Sequence, residues 1–67
     1  MLFVVIKDGK YLVNGSNIAD PKWSNDIHDA WHFDVYAIQF AYECADKVGG
    51  EVYTHDLDTN EVSPMED

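Results

Sequence analysis

The stretch Leu2-Phe3-Val4-Val5-Ile6-Lys7-Asp8-Gly9-Lys10-Tyr11-Leu12-Val13 decides the fold. Asp-Gly is the dipeptide favoured in a two-residue type I′ turn, where both central residues need positive φ. Residues 2–13 therefore read as a β-hairpin with Lys7 opposite Lys10, Ile6 opposite Tyr11, Val5 opposite Leu12 and Val4 opposite Val13. Side chains alternate between the faces of a strand, so Leu2, Val4, Ile6, Tyr11 and Val13 share one face, read here as the core side. Phe3, Val5 and Leu12 fall on the other. That second face is unusually apolar for a two-layer domain. It is either covered by the loop that follows or open to a partner, and it is the expected self-association surface of a homodimer.

Outward from the hairpin, residues 14–30 are rich in turn and cap chemistry: Asn14-Gly15-Ser16-Asn17, Asp20-Pro21 and Ser24-Asn25-Asp26. Ile18, Trp23 and Ile27 punctuate the stretch and should fold it back onto the hairpin. Ser24 or Asn25 is placed to cap a short helical turn ending near Ala30, and Trp31-His32-Phe33 reads as a short third strand. Asp34 is an N-cap for a helix running to about Val48. Ala37, Ala41, Cys44, Ala45 and Val48 recur at the three-and-four spacing of one helical face, widened by Ile38 and Phe40. Gly49-Gly50 ends that helix in a left-handed cap. Glu51 to Leu57 is a last strand, and Asp58-Thr59-Asn60 a turn leading into a loose tail. The expected fold is α+β: a small antiparallel sheet against one α-helix, with a single domain over residues 1–57 and an acidic turn and tail over 58–67.

The chain has 67 residues, room for one core and no second domain. A domain this small buries only about 60% of the surface its unfolded chain exposes, so its stability should be marginal. Thirteen acids face four lysines, with no arginine, for a formal charge of −9. Arginine is the preferred fork for phosphates and base edges, which argues against direct nucleic-acid binding. After Lys47 no lysine follows, while Glu51, Asp56, Asp58, Glu61, Glu66 and Asp67 do. Such a surface repels nucleic acids and anionic membranes and attracts basic grooves, although solubility alone would also account for it. Cys44 is the only cysteine, so no intrachain disulfide can form, and the reducing cytoplasm is the expected compartment. The run Leu2–Ile6 is too short for a signal-peptide core and has no basic residue before it.

Three constellations invite a chemical reading. His28-Asp29-Ala30-Trp31-His32 places two histidines at the spacing of a zinc protease helix. An extended Trp31-His32-Phe33 would carry them apart, however, and Asp29 is one carbon shorter than the glutamate of that motif. Asp56-Leu57-Asp58-Thr59-Asn60 begins like a calcium loop, but Glu61 stands where the loop needs glycine. Cys44 lies on the core face of the helix, and nothing in the sequence orients His55 toward it. The sequence thus predicts a domain that folds without metal, uses no cofactor and is not an enzyme.

What remains is acid mixed with aromatics, a combination suited to binding protein. Asp26, Asp29, Trp31, Asp34, Glu43, Asp46, Asp56, Asp58 and Glu61 are the candidate partner-binding residues, with Trp23 and Trp31 each readable instead as core. In size, in its Met1 start and in its hairpin–helix–strand order, the chain resembles small acidic phage-encoded accessory proteins, including anti-CRISPR and anti-restriction inhibitors. The resemblance spans roughly residues 2–57 and is carried by Ala30-x-x-Phe33-Asp34, Ala37, Phe40-Ala41 and Gly49-Gly50-Glu51-Val52. It implies an acidic decoy, a nucleic-acid mimic occupying the groove of a basic nucleic-acid-binding protein in the host cytoplasm. It assigns no individual residue a role. The alternatives are a self-associating structural or accessory protein and, third, a small metal-binding domain.

Overall fold

Asp8 and Gly9 take φ of 52° and 78°, the pair of positive values a type I′ turn requires. They join β1 (Leu2–Lys7) to β2 (Lys10–Leu12) in the expected register, Ile6 opposite Tyr11 and Lys7 opposite Lys10. The computed structural model describes residues 1–64; Met65, Glu66 and Asp67, the end of the expected tail, lie outside the described residues.

Beyond those two pairs the hairpin opens, and the expected pairs of Val5 with Leu12 and Val4 with Val13 do not form. Residues 30–33 enter the gap. Trp31 donates its N–H to the Leu12 carbonyl at 2.8 Å, and Phe3 and Phe33 exchange both backbone hydrogen bonds at 2.8 Å. This satisfies backbone groups that two diverging strands would otherwise leave unpaired. Trp31-His32-Phe33 is thus an extended bridge, and the third strand of the chain is instead β3 (Trp23–Ser24), paired with β2 through Leu12–Trp23 and Tyr11–Ser24.

On the other side of β1 lies β4 (Glu51–Asp56), with Val5 opposite Val52 and Val4 opposite Tyr53. The chain then turns through 57–60 and returns as β5 (Glu61–Pro64), which pairs with β4 from Asp56–Glu61 to Tyr53–Pro64. Four residues of the expected loose tail are therefore an edge strand. Val62 is its only large apolar side chain among glutamate, serine and proline, too little alternation to announce a strand. The result is one antiparallel five-stranded sheet in the order β3-β2-β1-β4-β5.

The one α-helix among the described residues, α1 (Ile38–Val48), crosses this sheet. Asp34 starts the approach: its Oδ1 accepts the backbone N–H groups of Tyr36 and Ala37, both at 3.0 Å, at the head of a 3-10 turn over Val35–Ala37 that leads into α1. Such a cap is worth about 1 kcal/mol. Gly49 closes the helix in the left-handed conformation, φ 75°. Gly50 is constrained by space: a Cβ there would lie 3.0 Å from both the Ile6 carbonyl oxygen and Val5 Cγ1.

The core reverses the expected faces. Phe3, Val5 and Leu12 point under the helix, where they pack with Phe33, Val52, Ala41, Cys44, Ala45 and Val48. They are the floor of the core and offer nothing to a second copy, so the self-association surface expected there is corrected. Both faces of β1 are apolar, so alternation alone had no basis for choosing between them. The choice is made by the side on which the chain crosses between β2 and β4. The opposite face carries Leu2, Val4, Ile6, Tyr11, Tyr53, His55 and Val62, of which Val4 and His55 are buried and the others half-buried. The short helical turn before it, Ile27–Asp29, is capped by Asp26 rather than by Ser24 or Asn25. No helix among the described residues is long and apolar enough to cross a membrane.

Candidate functional site

Four of the nine candidate partner-binding residues are turn builders. Asp26 accepts the His28 backbone N–H and meets the His28 ring at Nδ1, both at 2.9 Å; the backbone bond first, and then the ring, hold its carboxyl below the usual range. Asp29 accepts from Ser24 Oγ at 2.8 Å, Asp34 caps the approach to α1, and Asp56 accepts the Asp58 N–H at 2.9 Å. The contacts of Asp26, Asp34 and Asp56 with backbone N–H groups are Asx-type ones that local sequence already favours. Glu43 and Asp46 lie exposed on α1, and Asp58 and Glu61 at the β4–β5 turn. The candidates are thus spread over three regions. Few of them are neutralised: among the described residues the one lysine–carboxylate contact is Lys22 to Asp20, at 3.4 Å.

One groove gathers acid, aromatic and apolar surface together. It runs between the C-terminal half of α1 and the β4–β5 pair, encloses about 440 Å³, and is lined by Tyr42, Asp46, Glu51 and Pro64 over a floor of Ala45, Gly50 and Val52. The helix lies over β1 and β4 and leaves β5 at the open edge of the sheet. An edge strand beside a groove is where an extended segment can dock. Of the residues expected to bind a partner only Asp46 lines it. Tyr42 and Glu51 belong to it as well. The four-residue spacing of Tyr42 and Asp46 places them on one side of the helix, but Glu51 joins them only through the sheet.

Trp31 belongs to the core side. Its ring stacks on Phe33 at 5.1 Å and meets Phe40 edge-on at 5.7 Å, and Phe33 meets Phe40 at 5.8 Å. Trp23 also packs against the core. Trp31→Ala should therefore cost about 3 kcal/mol, the low end for truncating a large aromatic, and lower the melting temperature by more than about 10 °C. Trp31→Phe should recover most of this in a thermal melt. A Trp31→Ala domain that melts like the parent would return Trp31 to the surface as a binding residue.

A second pocket, of about 380 Å³, lies across the sheet and is lined by all three histidines with Leu2, Ile27, Leu57 and Asn60. His28 and His32, expected to be carried apart by the extended 31–33 segment, line the same pocket but turn to different partners, Asp26 and His55. His32 Nε2 lies 3.1 Å from His55 Nδ1, and His55 Nε2 lies 2.8 Å from Asn60 Oδ1. An amide oxygen can only accept, so His55 carries its proton on Nε2, and Nδ1 accepts the Nε2–H of His32. Burial, then the neighbouring His55, push the His32 pKa down, with His28 adding to the effect and the Ala30 backbone opposing it. His32 and His55 are 23 residues apart in sequence, and no local signal links them.

Cys44 is buried beneath the sheet's other face, away from His55, and that burial pushes its thiol up, with Glu43 adding and Lys47 opposing. A thiol so placed is a poor nucleophile. No protein-family model, curated protein or solved structure matches the chain.

Proposed function

We propose that the chain is a small acidic protein-binding module, not an enzyme, that inhibits a basic nucleic-acid-handling protein in the manner of an anti-defence decoy. The observation that carries this reading is the groove beside β5, lined by Tyr42, Asp46 and Glu51 over an apolar floor. Glu43 stands exposed one helical turn before Asp46. Tyrosine supplies an anchor with little entropy to lose, and the acids supply attraction that a basic groove would feel at a distance. The absence of arginine and the charge of −9 favour a basic protein over nucleic acid as the partner.

The immobilised chain, offered a bacterial lysate, should retain basic nucleic-acid-binding proteins that added DNA or RNA releases. The triple variant Tyr42→Ala, Asp46→Asn, Glu51→Gln should fold normally and lose that capture. Capture unchanged by the triple variant, or indifferent to competing nucleic acid, overturns the reading.

Self-association is a second reading with its own observation. The sheet face opposite α1 keeps Leu2, Ile6, Tyr11, Tyr53 and Val62 only half-buried, so a homodimer would form there rather than through Phe3, Val5 and Leu12.

A further inference from the structure

We propose that the outer side of the helical segment 35–48 docks an arginine-rich segment of a basic protein, held by Tyr36, Phe40 and Glu43. The proposal rests on the reading of the partner as basic, but it uses none of the residues that line the groove. Among the described residues six large apolar side chains are exposed, and four of them, Val35, Tyr36, Phe40 and Tyr42, fall within eight consecutive positions. Apolar residues exposed singly need no explanation, whereas a concentration of them marks an interaction surface.

Helical spacing divides this surface into two rows. Val35, Gln39, Tyr42 and Asp46 recur at steps of four, three and four residues and lead into the groove that Tyr42 and Asp46 line. Tyr36, Phe40 and Glu43 recur at steps of four and three on the neighbouring side. Tyr36 is 94% exposed, so its ring contributes almost nothing to the core. Its backbone is nevertheless fixed, because its N–H donates to Asp34 Oδ1 at 3.0 Å in the turn that opens the segment. Phe40 is held from beneath by Trp31 and Phe33, which it meets edge-on at 5.7 and 5.8 Å, and it remains 46% exposed. Both rings are thus presented on ordered backbone, and aromatic side chains of this kind have few torsions left to immobilise on binding.

The chemistry of the row selects arginine. From Asp34 to Asp46 the chain carries three acids and no lysine, arginine or histidine. Glu43 is exposed, and the one lysine–carboxylate contact among the described residues lies elsewhere, between Lys22 and Asp20. Aromatic faces attract cations, and the planar, weakly hydrated guanidinium stacks on them where an ammonium stays in water. Its forked N–H donors also match a carboxylate, which Glu43 supplies one turn beyond Phe40. A second copy of this chain would set these acids against their own kind. A nucleic-acid strand also stacks on aromatic rings, but it would bring phosphates to the same acids. The occupant that fits both the rings and the charge is a segment rich in arginine.

Octa-arginine and octa-lysine peptides, titrated calorimetrically into the full chain at one salt concentration, test the site. The arginine peptide should bind at least about threefold more tightly, since stacking on an exposed ring changes affinity by roughly two- to fivefold. Tyr36→Leu keeps an apolar side chain without an aromatic face and should remove most of that advantage, whereas Tyr36→Phe should preserve it. Neither variant should alter the circular dichroism or the melting temperature, because Tyr36 lies outside the core. Glu43→Gln should narrow the advantage as well, by taking away the forked contact. In NMR spectra of the unmodified chain the arginine peptide should shift the ring signals of Tyr36 and Phe40. An arginine preference retained by the Tyr42→Ala, Asp46→Asn, Glu51→Gln variant supports this site whether or not that variant loses capture from lysate, so the two readings fail separately. Equal affinity of the two peptides, a preference that survives both Tyr36→Leu and Glu43→Gln, or shifts confined to Tyr42, Asp46 and Glu51 would each overturn the proposal and leave the groove reading standing.

Discussion

Val5→Lys should leave no folded domain at room temperature. Val5 is fully buried, 0% exposed, between the sheet and α1. Its Cγ1 already stands 3.0 Å from where a side chain on Gly50 would begin, so there is no route for a lysine to reach water. An unpaired ammonium in such a place costs several kcal/mol even after the surroundings relax. A domain of this size has only roughly 3–10 kcal/mol of stability to lose, at about 0.05–0.15 kcal/mol per residue. Leu12→Ala, at the same depth, should cost about 2–5 kcal/mol and give a domain that unfolds in little urea. Circular dichroism and urea titration decide the point. A Val5→Lys chain with native helix content, altered only in its oligomeric state, would mean that Val5 faces a partner after all. Ile6→Lys on the opposite face is the companion variant. It should stay folded, and light scattering on it and on the parent shows whether that face holds a dimer or the chain is a 7.6 kDa monomer.

Association with a basic partner should slow steeply as salt is raised. The Debye length falls from about 10 Å at 0.1 M to about 3 Å at 1 M, so a field summed over many exposed acids is felt at low salt and lost at high salt. Steering of this kind raises on-rates by about 10- to 1,000-fold. Stopped-flow association at increasing salt should therefore lose at least about tenfold in rate. Glu43→Gln, Asp46→Asn and Glu51→Gln should reproduce part of that loss at low salt by lowering the on-rate more than they raise the off-rate. Asp58→Asn and Glu61→Gln, at the far end of the β4–β5 hairpin, separate a general field from one centred on the groove. A rate indifferent to salt would move the contact to an apolar surface, such as the half-buried face around Ile6 and Tyr53 on the opposite side of the sheet.

Much of the architecture follows from short-range rules. Asp8-Gly9 dictated the turn and its register because few other dipeptides accept two positive φ values. Asp34 and Gly49 bounded the helical segment because unpaired N–H and C=O groups at helix ends need partners of those kinds. The spacing of Ala41, Cys44, Ala45 and Val48 identified the buried side of α1, since that spacing meets a single neighbour only in a helix.

Tertiary structure alone decided three further features. It chose which face of β1 became the core, because Leu2, Val4 and Ile6 are as apolar as Phe3 and Val5, and only the crossing of α1 distinguishes them. It made residues 61–64 a strand, because Val62 gains its setting from His55 across the ladder and not from its own neighbours in sequence. It also brought His32 to His55, through the wedge of residues 30–33 between β1 and β2. Local sequence shapes turns and helix ends because their hydrogen bonds close within a few residues. The pairing of two histidines 23 residues apart depends on every strand between them taking its place.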